Sequence, residues 1–257
     1  MRRAIGVWAC GAALVVAACS SGGGTANDQE GAESTTTTAV DTGTAPSDEA
    51  VAYAEAVTTL DPDELERAID LSAEGSVAGD YALHRLGLAE AIAGSGVDPS
   101  TALGVETAVE DGQVTVCTAE QGQSPTCVAL ADFTTDDAGR LTGFTIDGAD
   151  PGSRLVVGPG SPVEAGGVTV TPVSAYQSVQ NDVLGIVLEV RNDSDAPFSG
   201  PGSSATYVGP DGNEVTAVNA FEPRSLAPGE TALVAVVFDD SAIGGTLTYG
   251  GVELTIG

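Results

Sequence analysis

The spacing of apolar residues changes once along the chain, and this change constrains the fold more than any other feature. Between residues 48 and 93 apolar residues recur every three or four positions, which is the period of a helix. After the break at Gly94-Ser95-Gly96 they alternate with polar residues, which is the period of a strand. The sequence therefore predicts an α+β protein whose N-terminal helices pack on antiparallel strands.

Three helix starts lie between residues 47 and 77. Ser47 precedes two acids, and Asp61-Pro62-Asp63-Glu64 places a capping aspartate before a proline and a glutamate in the first turn. This second helix is expected to end near Ala73. The third helix is expected from about Val77 to Ala93, and one arc of about 80° on it carries the apolar stripe. The stripe consists of Val77, Tyr81, His84, Leu88 and Ile92.

A four-stranded antiparallel meander is predicted next. Alternating segments cover residues 103–109, 114–118, 127–133 and 141–146, with turn residues between them. Cys117 and Cys127 fall on neighbouring strands, where opposed side chains are close enough for a disulfide, the usual fate of an exported cysteine pair. A metal site would have only His84 as a third soft ligand and lacks zinc-ligand spacing.

The order of helices followed by an antiparallel sheet resembles the cone-shaped nuclear-transport-factor-like and cystatin-like domains. This resemblance implies a pocket between the third helix and the sheet, with Tyr81 and His84 facing inward. His84 then has two interpretations, a hydrogen-bonded core residue or the acid–base group of a pocket. A resemblance of fold supplies no substrate.

A second domain is predicted over residues 154–257, after a boundary at Asp150-Pro151-Gly152-Ser153 that closes a first domain of residues 48–150. About seven to nine short strands, separated by turns rich in Gly, Pro, Asn and Asp, indicate a β-sandwich. Residues 189–194, 207–212, 226–231 and 237–239 are similar to the immunoglobulin-like domain of unknown function found in many Gram-positive surface lipoproteins. The resemblance implies an extracytoplasmic interaction or spacer module without catalytic residues.

Residues 1–18 are typical of a lipoprotein signal peptide. Two arginines precede an uncharged segment, 4–18, that is too short to span a bilayer of about 30 Å. The segment ends in Val16-Ala17-Ala18-Cys19, which resembles a bacterial lipobox and predicts a lipid anchor on Cys19 at the extracytoplasmic face of the cell membrane. Residues 19–47 lack apolar periodicity and are expected to form a disordered tether.

Charge restricts the partners of the chain. Its 37 acids and 8 arginines give a net charge of −29, which becomes −31 without Arg2 and Arg3. Such a surface repels nucleic acid and favours a basic protein partner. Without lysine there is no P-loop lysine or Schiff base, and one histidine excludes a His-Glu-x-x-His zinc helix.

No cofactor or metal is expected, although carboxylate chemistry stays open. A glycosidase-like pair of acids is compatible with the composition. Three aspartate pairs offer oxygens to Ca²⁺, but none lies in a loop with a full ligand set. These pairs are Asp136 with Asp137, Asp193 with Asp195, and Asp239 with Asp240.

Two functions remain after these exclusions. The first is a membrane-anchored, non-enzymatic lipoprotein that binds an envelope or extracellular partner, and the motifs that are missing favour it. The alternative is a small-molecule binder or enzyme that uses the cone-shaped pocket around His84. A buried polar pocket would favour the alternative, whereas a cone filled by side chains would favour the first.

Overall fold

The computed structural model describes residues 46–99, 105–119, 124–158 and 160–257. These residues all belong to one compact unit. The predicted signal peptide, Cys19 and nearly all of the predicted tether lie outside the described residues. None of the described helices is both long and apolar enough to cross a membrane.

Three helices open the described chain: α1 (Asp48–Thr58), α2 (Pro62–Asp70) and α3 (Val77–Gly94). Ser47, Asp61 and Ser76 cap them by accepting hydrogen bonds from backbone N–H groups of the first turn. Helix α2 ends at Asp70 rather than near Ala73. The chain after it pairs with the sheet instead, since Ala73 N donates to Leu141 O at 2.8 Å.

The first sheet is an antiparallel meander in the order β1-β2-β3-β4, as predicted. Cys117 and Cys127 are directly paired across β2 and β3 and are joined in a disulfide. The helices cover one face of this sheet, and a core that includes Tyr53, Leu130 and Phe144 lies between them. The strands are β1 (Val105–Glu110), β2 (Gln113–Thr118), β3 (Thr126–Thr135) and β4 (Leu141–Ile146).

Ten further strands follow in the described chain, more than the seven to nine predicted, because two short strands pair with β7. One sheet has the order β11-β12-β8-β7-β5 with β6 also on β7, and the other has the order β10-β9-β13-β14. Both sheets contribute to one core. The strands are β5 (Leu155–Val157), β6 (Val163–Ala165), β7 (Val168–Gln177), β8 (Leu184–Asn192), β9 (Thr206–Val208), β10 (Glu214–Thr216), β11 (Asn219–Phe221), β12 (Thr231–Phe238), β13 (Gly245–Tyr249) and β14 (Val252–Ile256). The described chain is thus mixed α+β and mostly β.

Helix α3 packs against both the first sheet and the sheet that contains β7, β8 and β12. Gly87 makes the second contact possible, because a Cβ at this position would lie only 3.1 Å from Cγ1 of Val187 on β8. The buried positions therefore extend around the helix, whereas the sequence predicted a single arc. They include Ala78, Tyr81, Ala82, His84, Gly87, Ala89, Ala91 and Ile92.

The predicted boundary at residues 150–153 overlaps a short 3₁₀ helix, Pro151–Arg154. Pro151 is buried, and a Cβ on Gly152 would lie 2.7 Å from Cγ2 of Val77 on α3. Tyr176 of β7 belongs to the core of the first sheet. The boundary therefore marks a change of architecture within one compact unit, and the division into two domains stays a prediction.

Candidate functional site

A partly open cavity of about 260 Å³ lies between α3, the first sheet and the hairpin that joins β7 to β8. Its walls are largely apolar, and its polar groups come mainly from α3 and the hairpin. The apolar wall includes Val57, Leu88, Val116, Val128, Ile146, Val183 and Val237. The polar lining includes Thr58, Tyr81, His84, Arg85, Thr118, Tyr176, Ser178, Gln180 and Asn181.

The two residues predicted to line a pocket, Tyr81 and His84, both border this cavity. The surroundings of these two residues differ from those expected in a cone-shaped domain. Aromatic rings fill the space between the helices and the first sheet. The ring centroid of Phe144 lies 5.3 Å from that of Tyr53 and 5.4 Å from that of Tyr81. The second half of the chain supplies a further wall of the cavity. The ring centroid of Tyr176 on β7 lies 5.2 Å from that of Tyr81. No pattern in the sequence predicts that this half takes part.

His84 is a buried, hydrogen-bonded residue of the core. Its side chain is 2 % exposed, and Nδ1 lies 2.9 Å from Oγ of Ser174 on β7. Burial, with a smaller contribution from the positive charge of Arg85, lowers the pKa of His84 to about 3. The imidazole is therefore neutral near pH 7, as the core interpretation implies.

The pair formed by Ser174 and His84 contains a hydroxyl and a nitrogen base, so nucleophilic catalysis has to be considered. A base whose pKa is about 3 accepts a proton poorly near neutral pH. Ser174 is itself only 5 % exposed within β7. Among the described residues no carboxylate hydrogen-bonds the ring to orient it. The geometry therefore supports a structural hydrogen bond better than an activated nucleophile.

Arg85, which follows His84 on α3, is a charged residue of the cavity lining, and no sequence motif indicates it. Its Nη2 donates to Thr59 O at 3.1 Å, and its Nε is buried without a hydrogen-bond partner among the described residues. Arg85 also borders a neighbouring cavity of about 300 Å³. A buried N–H without a partner is costly, and proteins normally satisfy such a group with water or a ligand.

The lining of the cavity contains no Asp or Glu within the described ranges, although the chain has 37 acids. Arg85 is thus the one charged side chain of that lining. Elsewhere in the described ranges no three His, Cys, Asp or Glu side chains converge as metal ligands would. Two of the three aspartate pairs considered for Ca²⁺ contain an aspartate that forms a salt bridge. Oδ2 of Asp136 lies 2.8 Å from Nη2 of Arg140, and Oδ1 of Asp193 lies 2.7 Å from Nε of Arg191.

Comparison with known proteins adds little to this geometry. No family model matches the sequence, and no curated protein matches it. Among solved structures the chain is similar to the crystal structure of a functionally unknown protein from Listeria monocytogenes EGD-e. The two share 14 % sequence identity over 36 % of this chain and 70 % of that chain, with a TM-score of 0.28. A likeness this weak carries no argument about fold or function.

Proposed function

We propose that the protein is a non-enzymatic lipoprotein, anchored through Cys19 at the extracytoplasmic face of the membrane, that binds a basic envelope or extracellular partner. The sequence Val16-Ala17-Ala18-Cys19 supports the location. The observation that carries the binding role is the outer edge of β1, which no described strand pairs with and whose exposed side chains include acids.

The strand pairing of the second half supports an immunoglobulin-like sandwich. One sheet places β7, β8, β12 and β11 side by side, and the other places β10, β9, β13 and β14 side by side. Lettered in chain order from β7, the eight strands become A, B, C, C′, D, E, F and G. The two sheets then have the orders A-B-E-D and C′-C-F-G, which are the orders that the proposed architecture predicts. Buried Ile186, Tyr207 and Leu247 belong to the core that both sheets share. This arrangement supports the proposal of an immunoglobulin-like interaction or spacer domain.

The outer edge of β1 is the described surface that best suits a basic partner. No described strand pairs with this edge, so its backbone N–H and C=O groups are available to an extended segment. Val105 and Val109 are 43 % and 45 % exposed, and the side chains of Glu106 and Glu110 are exposed as well. An extended segment with alternating apolar and basic residues would match both the backbone and the charges.

The location is tested by fractionating cells that make the wild type or Cys19→Ser. The wild type should be in the membrane fraction with a lipid mass on Cys19, and the variant should be released. A wild-type protein whose intact mass shows an unmodified cysteine at its start would contradict the anchor.

The binding role is tested by capture from the cell envelope with the chain from Ser20 onward. Reversal of Glu106 and Glu110 to lysine should slow association and reduce capture, and salt should weaken capture of the wild type. Reversal of Glu214 and Glu253, which are exposed on β10 and β14, changes the net charge equally and is the matched control. Salt-independent capture, or equal loss in both double variants, would overturn the proposal.

The alternative is an enzyme or small-molecule binder that uses the pocket around His84. His84 is buried and its pKa is about 3, so it is a poor acid–base catalyst near neutral pH. Within this alternative, small-molecule binding is therefore better supported than catalysis. A substrate that the wild type converts and His84→Ala does not would favour this alternative over the proposed role.

A further inference from the structure

We propose that the cavity beside Arg85 binds a small organic monoanion, a carboxylate carried on an apolar body. This inference does not depend on the proposed envelope partner, because it concerns an internal cavity and not the surface of the first sheet. It rests on three features of the cavity: its single charge, its apolar walls and its size.

The charge of the cavity favours an anion. Arg85 borders a space with largely apolar walls, beside which its attraction for a negative group exceeds that in bulk water. No described acidic side chain lines this space, and Asp98 borders the neighbouring cavity that Arg85 also lines. Nη2 of Arg85 already donates to Thr59 O, and a carboxylate in the cavity would accept a further charge-assisted hydrogen bond from the guanidinium.

The walls favour a monoanion with an apolar body over phosphate or another compact dianion. Valine side chains from α1, the first sheet and β12 surround the space, and His84 is neutral. Phosphate near pH 7 would bring up to two negative charges to one arginine, and apolar walls would leave its remaining oxygens without partners. An alkyl or aryl group, by contrast, gains from leaving water.

The volume sets the size of the ligand. A space of 260 Å³ holds roughly nine groups the size of water, at about 30 Å³ each. This lies just below the range of about 300–1,000 Å³ that drug-sized ligands occupy. A carboxylic acid with about eight carbons therefore fits.

Gly185 on β8 offers a way to close the cavity without removing a charge. It borders the space, and a Cβ built on it would meet Nε2 of His84 at 3.7 Å, an ordinary contact distance. The first carbon of a side chain is therefore tolerated at this position, and the further atoms of a valine would take up space beside His84. Gly185→Val tests occupancy of the space separately from the role of Arg85.

The first measurement is calorimetric titration of the chain from Ser20 onward, which retains every described residue. Octanoate is the probe, and octanol, octylamine and inorganic phosphate are the comparisons. Octanoate should bind at one saturable site and at least about tenfold more tightly than octanol, because one charge-assisted contact contributes at least that factor. Octylamine and phosphate should not bind. Equal affinity for octanoate and octanol, binding of phosphate, or no binding of octanoate would overturn the proposal.

The second measurement uses variants. Arg85→Gln should weaken octanoate binding at least about tenfold and leave octanol unchanged, whereas Arg85→Lys should retain part of the affinity. Arg67→Gln removes the same charge from exposed α2 and should have no effect. Gly185→Val should weaken octanoate and octanol alike, and it keeps the test decisive if Arg85→Gln does not fold. Octanoate binding that survives both Arg85→Gln and Gly185→Val would place the ligand elsewhere and refute the inference.

Discussion

Replacing His84 by glutamine should remove an acid-sensitive part of the folding free energy. His84 is the only histidine of the chain, and it is buried against Ser174 and Tyr176. Arg85 contributes the positive charge that acts on it, and the pKa values of Tyr81 and Tyr176 are raised mainly by burial, so both phenols stay neutral in acid. The protonation of His84 can therefore be treated as a single titration.

The direction and size of the effect follow from the pKa of His84 in each state. In the unfolded chain its pKa is about 6.5, and in the folded protein it is about 3. Between these values the unfolded state binds one more proton, so the free energy of unfolding falls as the pH falls. The contribution is fully present above pH 6.5 and decreases by about 1.4 kcal/mol per unit well below it. From pH 7 to pH 5 the loss is about 2 kcal/mol.

The assay is urea unfolding at pH 7, 6 and 5, followed by circular dichroism, for the wild type and His84→Gln. The acidic side chains are common to both proteins, so their titration cancels in the difference between the two free energies. This difference should shrink by about 2 kcal/mol between pH 7 and pH 5. Ser174→Ala keeps the imidazole while removing its hydrogen-bond partner, and it should lose stability in acid as the wild type does.

A difference between wild type and His84→Gln that is the same at pH 7 and pH 5 would refute this reasoning. It would mean that His84 is protonated as easily in the folded protein as in the unfolded chain. The side chain would then be accessible to water, and α3 could not pack on β7 as described.

Two further predictions concern the disulfide and the two halves of the chain. Replacing Cys117 and Cys127 together by alanine should lower the free energy of unfolding by about 2 to 3 kcal/mol in urea, from the closure of a ten-residue loop; two thiols alkylated in the native protein without reductant would contradict the bond. Residues 154–257 alone should give a cooperative calorimetric transition, because both of their sheets share one core, whereas residues 48–150 alone should not, because α3 loses its contact with Val187. A cooperative transition from residues 48–150 would show that the first half needs no support from the second.

Local signals are enough to predict the helices and the first sheet. Ser47, Asp61 and Ser76 each act as caps in the structure, and the caps at Ser47 and Asp61 are recognisable in the sequence because a capping side chain satisfies a donor only two or three residues away. The meander is predictable for a similar reason, since each of its strands pairs with the next one in the chain. The packing of α3 on the second half involves residues far apart in sequence, and no local pattern encodes it.

Small residues explain why the second buried face of α3 is absent from the sequence prediction. The apolar stripe follows the large side chains and so describes one arc. Ala78, Ala82 and Gly87 contribute little to an apolar pattern, yet all three are buried in the structure. Their value lies in letting another element approach closely, as Val187 does at Gly87. An apolar pattern records how much surface a residue can bury, whereas close packing depends on how little space it occupies.

The net charge of the chain gives no indication of Arg85, whereas the positions of the individual charges do. Arg67 pairs with Glu64 three positions before it, and Arg140 pairs with Asp136 four positions before it. On α3 the positions three and four away from Arg85 are Tyr81, Ala82, Leu88 and Ala89, so no acid lies one helical turn from it. An arginine with no acid one turn away on its helix has no local ion pair that competes with an anion in the cavity, and this spacing distinguishes Arg85 from Arg67 and Arg140.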